Sequence, residues 1–130
     1  MSNHQEGRMS KIVHFEIPVD DPDRASAFYS DVLGWTVSRW GEEPYWLVTA
    51  GGEDEPGANG ALIARGGNHT QPVVVAGVVD VDATLAAAQA HGATVVQEKL
   101  PVPGMGWSAY LRDPEGNVVG VFQIDAQAGG

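Results

Sequence analysis

A chain of 130 residues is long enough for one domain with a buried core and too short for a cofactor domain beside a substrate domain. It carries 17 Asp plus Glu against 7 Lys plus Arg, and the resulting charge of -10 argues against nucleic-acid partners and anionic membrane surfaces. The absence of cysteine removes disulfides, thiolate metal sites, iron–sulfur clusters and a cysteine nucleophile together, and it fits a reducing cytoplasm.

The longest apolar run, Val73 to Val79, falls far short of the ~20 residues of a spanning helix. The polar opening MSNHQEGRMS has no apolar core of a signal peptide. A cytoplasmic protein without membrane segments is therefore expected. Residues 1–10 lack periodicity and read as a disordered tail, as do residues 126–130.

Between the tails, Lys11 to Val19 alternates β-branched and aromatic residues and predicts a strand. Asp21 then offers a helix cap with Pro22 at the first helical position; Ala25, Phe28, Tyr29, Val32 and Leu33 follow at helical spacing, and Gly34 closes the helix. Phe28 and Tyr29 are expected to face the sheet. Arg24, in the first turn, is expected to pair with Asp20 or Asp21. Three strand-like runs come next: Trp35 to Trp40, Tyr45 to Ala50 and Asn59 to Arg65.

The same order then repeats. Pro72 to Val79 is a strand-like run, Asp80 caps a helix carrying Val81, Leu85 and Ala88 and ending near Gly92, and three runs follow: Ala93 to Lys99, Gly106 to Arg112 and Asn117 to Ile124. The last two are joined by the turn Asp113-Pro114-Glu115-Gly116. The capping aspartates lie 59 positions apart and the closing glycines 58, which marks an internal duplication by order and spacing of elements. Two such halves bury their apolar faces by placing the helices outside and curving the sheet into a trough. A concave pocket is then the default ligand site.

Several residues carry a resemblance: Val13-His14-Phe15-Glu16-Ile17-Pro18-Val19 leading into Asp21, then Arg24, Phe28-Tyr29, Leu33-Gly34-Trp35, and the late turn Asp113-Pro114-Glu115-Gly116-Asn117. In combination this pattern resembles the vicinal oxygen chelate superfamily, which includes glyoxalase I, extradiol dioxygenases, fosfomycin-modifying enzymes and bleomycin-resistance proteins. The resemblance runs from Lys11 to Ile124. It implies an α+β fold of two βαβββ modules forming a curved mixed sheet, a half-barrel cup with helices outside. Residues 11–125 would form the single domain, with modules over 11–68 and 69–125, and a homodimer is implied as well.

The resemblance also implies one divalent metal held from four strands, two in each module. His14 stands where the first ligand would be. Val74 occupies the equivalent place in the second module, Gly120 stands where a glutamate is expected, and the stretch from Gly60 to Ala64 contains no acidic residue. Tight divalent sites need three or more protein ligands, so no metal cofactor is expected, and His14 is the residue through which a divalent ion could still bind.

His14 and Glu16 lie two apart in a strand, on one face, with alpha carbons roughly 6.5 to 7 Å apart. An imidazole beside a carboxylate can act as a general base or hold a ligand cation, so these two are the catalytic candidates. Tyr45, Trp46, Trp107 and Tyr110 are the aromatic candidates for a ligand-binding wall, although alternation sends Tyr45 and Trp46 to opposite faces. Gln123 should face away from the cup; His4 falls in the tail, His69 in a polar loop and His91 at a helix end, and none is a strong catalytic candidate. Dinucleotide, phosphate-loop and nucleophile-elbow motifs all fail on inspection.

Two functions remain open. The first is a metal-independent protein that binds a small molecule, partly aromatic or cationic, in the cup. The second is an enzyme of the same superfamily, a lyase, isomerase or dioxygenase-like catalyst, using His14 and Glu16.

Overall fold

The structure, a computed structural model, describes residues 9–130. The tail expected over 1–10 therefore lies outside the described residues except for Met9 and Ser10. Two compact units form, one over 13–74 and one over 75–130 together with 9–12. No helix of the described residues is long and apolar enough to cross a membrane.

The first unit runs β1 (Ile12–Val19), α1 (Pro22–Leu33), β2 (Thr36–Arg39), β3 (Tyr45–Thr49) and β4 (Gly60–Ala64). Its strands lie in the order β2-β3-β4-β1, with β1 parallel to β4 and the other pairs antiparallel. The local chemistry explains α1. The Asp21 carboxylate accepts from the Arg24 backbone N–H at 3.1 Å, Pro22 opens the helix without a wasted donor, and Gly34 ends it at φ 73°. Ala25 and Tyr29, one turn apart, pack with Trp35, Phe15 and Ile17 on a core of Val19, Val48 and Leu62. Phe28 departs from expectation: it lies one position off the Ala25–Tyr29 ridge and is 57% exposed. The expected partner of Asp20 differs as well, because its carboxylate is bound by Arg65 Nε at 3.1 Å.

The second unit runs β5 (Val73–Gly77), α2 (Val81–Ala90), β6 (Thr94–Val102), β7 (Gly106–Arg112) and β8 (Val118–Ile124), with strand order β5-β8-β7-β6. Again the first strand is parallel to the last and the other pairs are antiparallel. Asp80 caps α2 by accepting from Ala83 N–H at 3.0 Å, and the Gln123 side chain takes the Val81 N–H at 2.9 Å. The core joins Val81 and Leu85 to Val78, Ala109, Leu111 and Val121. Each unit is thus a βαβββ element with its helix on one face of a mixed sheet, and the fold class is α+β.

The stretch expected as a C-terminal tail is instead tied down. Ala128 is buried, its carbonyl accepts from Gly104 N–H at 3.0 Å, and Asp125 N–H donates to the Met105 carbonyl at 2.9 Å. Short polar termini become ordered when backbone bonds and an apolar side chain fix them in this way.

Candidate functional site

Strand periodicity sorts the first unit's residues. Phe15, Ile17 and Val19 pack on the helix side of the sheet, so His14, Glu16 and Pro18 project from the opposite face. On β3, Trp46 and Val48 join the helix-side core, which sends Tyr45 and Leu47 to the face of His14 and Glu16. Strand β4 runs between β3 and β1, and the residue opposite Glu16 in register is Ala61. A methyl group there leaves room for the Tyr45 phenol to reach over β4 to the carboxylate.

Glu16 is 4% exposed and is the one buried charged residue among the described residues. The Tyr45 hydroxyl donates to its Oε2 at 3.2 Å, and His69 Nε2 lies 2.9 Å from its Oε1. His14 Nε2 is 2.7 Å from the Tyr45 hydroxyl and 4.0 Å from Glu16 Oε2. The His14 and Tyr45 rings are near parallel, 9° apart in plane, and Trp40 meets the Tyr45 ring edge-on at 6.0 Å. Sequence reasoning set His69 aside as a loop residue; the structure brings it onto Glu16 across 53 positions.

The loop that delivers His69 is well defined. Gly66 and Gly67 take positive φ of 146° and 55°, which suits residues without a Cβ, and the Gly66 and His69 backbones exchange hydrogen bonds of 3.1 and 2.8 Å. Arg65 ties the loop to the end of β1 through the Pro18 carbonyl, the Asp20 carboxylate and the Thr70 carbonyl.

Electrostatics follow from burial. Desolvation lowers the His14 pKa from its ordinary 6.5, against an opposing pull from the Glu16 charge, so the imidazole is neutral at neutral pH. Burial first, then the charge and hydrogen bond of Glu16, push the Tyr45 phenol far up, which keeps it a proton donor. A neutral imidazole, a protonated phenol and a buried carboxylate make a site able to accept a proton or bind a hydrogen-bonding ligand.

The other aromatic candidates each have their own surroundings. Trp46 packs in the helix-side core beneath Arg39, whose guanidinium carbon is 5.6 Å from its ring centre. Trp107 belongs to the second unit, packs against that unit's helix-side core, donates to Asp125 at 3.0 Å and lies under Lys99. Tyr110 projects from the opposite face of β7, its ring over Gly120. His91 hydrogen-bonds the Ala87 carbonyl through Nδ1 at 2.9 Å as a helix-end residue, and His4 lies outside the described residues.

The four-ligand metal arrangement does not fit these residues. In the second unit Val75, not Val74, shares a face with Gly120: the two are register partners, and a Cβ on Gly120 would meet Val75 at 2.9 Å and the Tyr110 ring at 3.0 Å. Alternation along β5 puts Val73 and Val75 on that face and Val74 on the other. Neither valine nor glycine can ligate, and β4 offers Gly60-Ala61-Leu62-Ile63-Ala64. Among the described residues no group of three or more His, Asp or Glu side chains is placed to hold a metal ion.

Comparison with known proteins bears on the family and the fold. The family described as bleomycin resistance protein-like N-terminal matches residues 11–51. A lactoylglutathione lyase of Haemophilus influenzae is 36% identical over 117 residues, covering 82% of this chain and 87% of that protein. Two curated relatives from Mycobacterium bovis and Mycobacterium tuberculosis are 34% identical, but the chain spans 42% of their length. Among solved structures, methylmalonyl-CoA epimerase from Mycobacterium tuberculosis superimposes with a TM-score of 0.64 at 18% identity, over 93% of this chain and 95% of that one. A Mn(II)-bound glyoxalase from Novosphingobium aromaticivorans gives 0.60 at 23% identity, over 94% of this chain and 42% of that one, and both likenesses concern the fold. With its paired βαβββ units and a lyase relative matched along most of both chains, the protein belongs to the vicinal oxygen chelate superfamily, alongside the glyoxalases and bleomycin-resistance-like proteins.

Proposed function

We propose that the cluster of His14, Glu16, Tyr45 and His69 is a binding site for a small molecule, cationic or aromatic, recognised without a metal. The observation that supports the reading is the burial of Glu16. Placing a carboxylate out of water costs several kcal/mol, and even where donors offset that cost an apolar replacement is often at least as stable, so a buried carboxylate ringed by a phenol and imidazoles calls for a role beyond stability. The cluster's accessible members are the imidazoles, with His14 27% and His69 19% exposed at the side chain against 5% for Glu16. A chain of charge -10 also attracts cations. On this reading the protein acts in the cytoplasm as a homodimer.

A second reading is favoured by the neutral state of His14. An imidazole that stays unprotonated beside a carboxylate is a competent proton acceptor, and the likeness to lactoylglutathione lyase supports an enzyme of the lyase or isomerase kind built on His14 and Glu16. One experiment separates the two. Cationic and aromatic compounds are titrated calorimetrically into the wild type, His14→Ala and Glu16→Gln, and each bound compound is recovered and analysed. Compounds recovered unchanged, with binding weakened at least tenfold in both variants, support the binding site; conversion lost in both variants supports the enzyme. Elemental analysis of chelator-free protein tests the metal-free element, and about one equivalent of a transition metal that disappears in His14→Ala overturns it.

A further inference from the structure

Hydrogen-bond accounting within the cluster fixes which nitrogen of His14 meets a ligand. An ionised carboxylate can only accept, so the Tyr45 proton belongs to Glu16 Oε2 and the His69 nitrogen facing Oε1 must carry a proton of its own. The phenol has one proton. Once it is given to Glu16, the 2.7 Å contact between the Tyr45 hydroxyl and His14 Nε2 closes only if Nε2 is the donor. A neutral imidazole with its proton on Nε2 presents a lone pair at Nδ1. Every hydrogen bond of His14's ring within the described residues runs through Nε2, and the side chain is 27% exposed.

We propose that Tyr45 is a positioning residue that holds His14 as the Nε2-protonated tautomer, so that Nδ1 is the acceptor in the site and the ligand presents an N–H or O–H donor to it. This rests on the reading of the cluster as the binding site and narrows the ligand class within it. The reverse arrangement, Tyr45 donating to His14, would set phenol lone pairs against Glu16 Oε2 at 3.2 Å unless that oxygen were protonated. Burial of the phenol beside an anion keeps its proton in place, and the desolvated imidazole stays neutral with one nitrogen open.

The test is a two-bond proton–nitrogen correlation of the histidine rings in ligand-free protein at neutral pH. The wild type should show one tautomer for His14, with an exchange-protected Nε2–H signal and an acceptor-type Nδ1. In Tyr45→Phe that signal should be lost to exchange and the nitrogens should shift toward each other as tautomers mix. In Glu16→Gln the amide can donate to the Tyr45 oxygen and turn the phenol proton onto His14 Nε2, so an Nδ1-protonated form should appear. Backbone amide spectra confirm that each variant is folded, and either variant alone decides the matter. A wild type protonated at Nδ1, or a tautomer pattern unchanged in a folded variant, overturns the positioning role. The ligand class is read with methylammonium and tetramethylammonium, equal in charge and differing in N–H donors. A shift of Nδ1 with methylammonium alone supports it, and equal shifts with both overturn it. No shift with either counts against the binding site itself, an outcome distinct from the tautomer result.

Discussion

The unit over 13–74 and the unit over 75–130 start their helices in the same way. Asp21 accepts from Arg24 N–H as Asp80 accepts from Ala83 N–H, and in both the opening strand lies parallel to the closing one. They part company on the face away from the helix. The first unit places His14, Glu16 and Tyr45 there, and the second places Val75 and Gly120 in such close register that a Cβ on the glycine would sit 2.9 Å from the valine. Backbone architecture and face chemistry therefore vary independently in this chain. Caps and registers are common to both because the fold needs them, whereas one unit's face packs a valine and a tyrosine ring over a glycine and the other holds a buried charge.

The largest expected effect tests whether the two cores are equally needed. Leu62→Ala, in the first unit, and Leu85→Ala, in the second, remove side chains at 0% and 6% exposure. Each should lower stability by about 2–5 kcal/mol in urea unfolding; a cost under 1 kcal/mol for either would show that its unit tolerates collapse. The difference between the faces is sharpened by His69→Ala, which takes a donor from Glu16 and should cost about 1–3 kcal/mol. A neutral result from equilibrium unfolding would mean that the carboxylate is satisfied without it. The shared feature is probed by Asp21→Ala and Asp80→Ala, each expected to cost about 1 kcal/mol, with asparagine at either site restoring most of the loss. Unequal costs would show that the likeness of the helix starts is geometric and not energetic.

The smallest effects are in pH. His14 has a folded pKa below its ordinary 6.5, so its contribution is complete above that value and declines as the pH falls below it, where the unfolded chain takes up a proton that the folded chain resists. Asp113 is held below its ordinary 3.8, first by the Asn117 backbone N–H, and its contribution is present above that value and lost as the pH falls through the folded pKa. His14→Gln should therefore flatten the stability profile just below pH ~6.5, and Asp113→Asn only below ~4. Urea midpoints measured from pH 7.5 to 3 check both, and a single common window for the two variants would contradict the assignment.

Local chemistry made α1 legible to the residue: its cap, its proline and its closing glycine are all adjacent in sequence. Strand parity likewise placed His14 and Glu16 on one face and separated Tyr45 from Trp46. The end of β6 was less visible. It continues to Val102 through Pro101, because an outer strand with register shifts can carry a proline that a central one could not. Trp107 shares parity with Ala109 and Leu111, which is the sequence signal for its place against the core. His69 was hidden for another reason, since its partner is 53 positions away and nothing periodic links them. The available clue was the Gly66-Gly67 turn after a strand parallel to β1, which sends the chain back toward that strand's end.

That turn also makes the site adjustable. His69 hangs from a short glycine hinge whose bonds run to itself and to Arg65, while His14, Glu16 and Tyr45 are set by the sheet. Lengthening or stiffening the hinge would move one imidazole against three fixed groups and leave the strand ladder intact. In a laboratory selection for new ligands, variation in residues 66–70 reshapes recognition while the strand ladder stays in place, at the cost of the donor His69 gives Glu16 and of the positive φ that Gly66 and Gly67 supply.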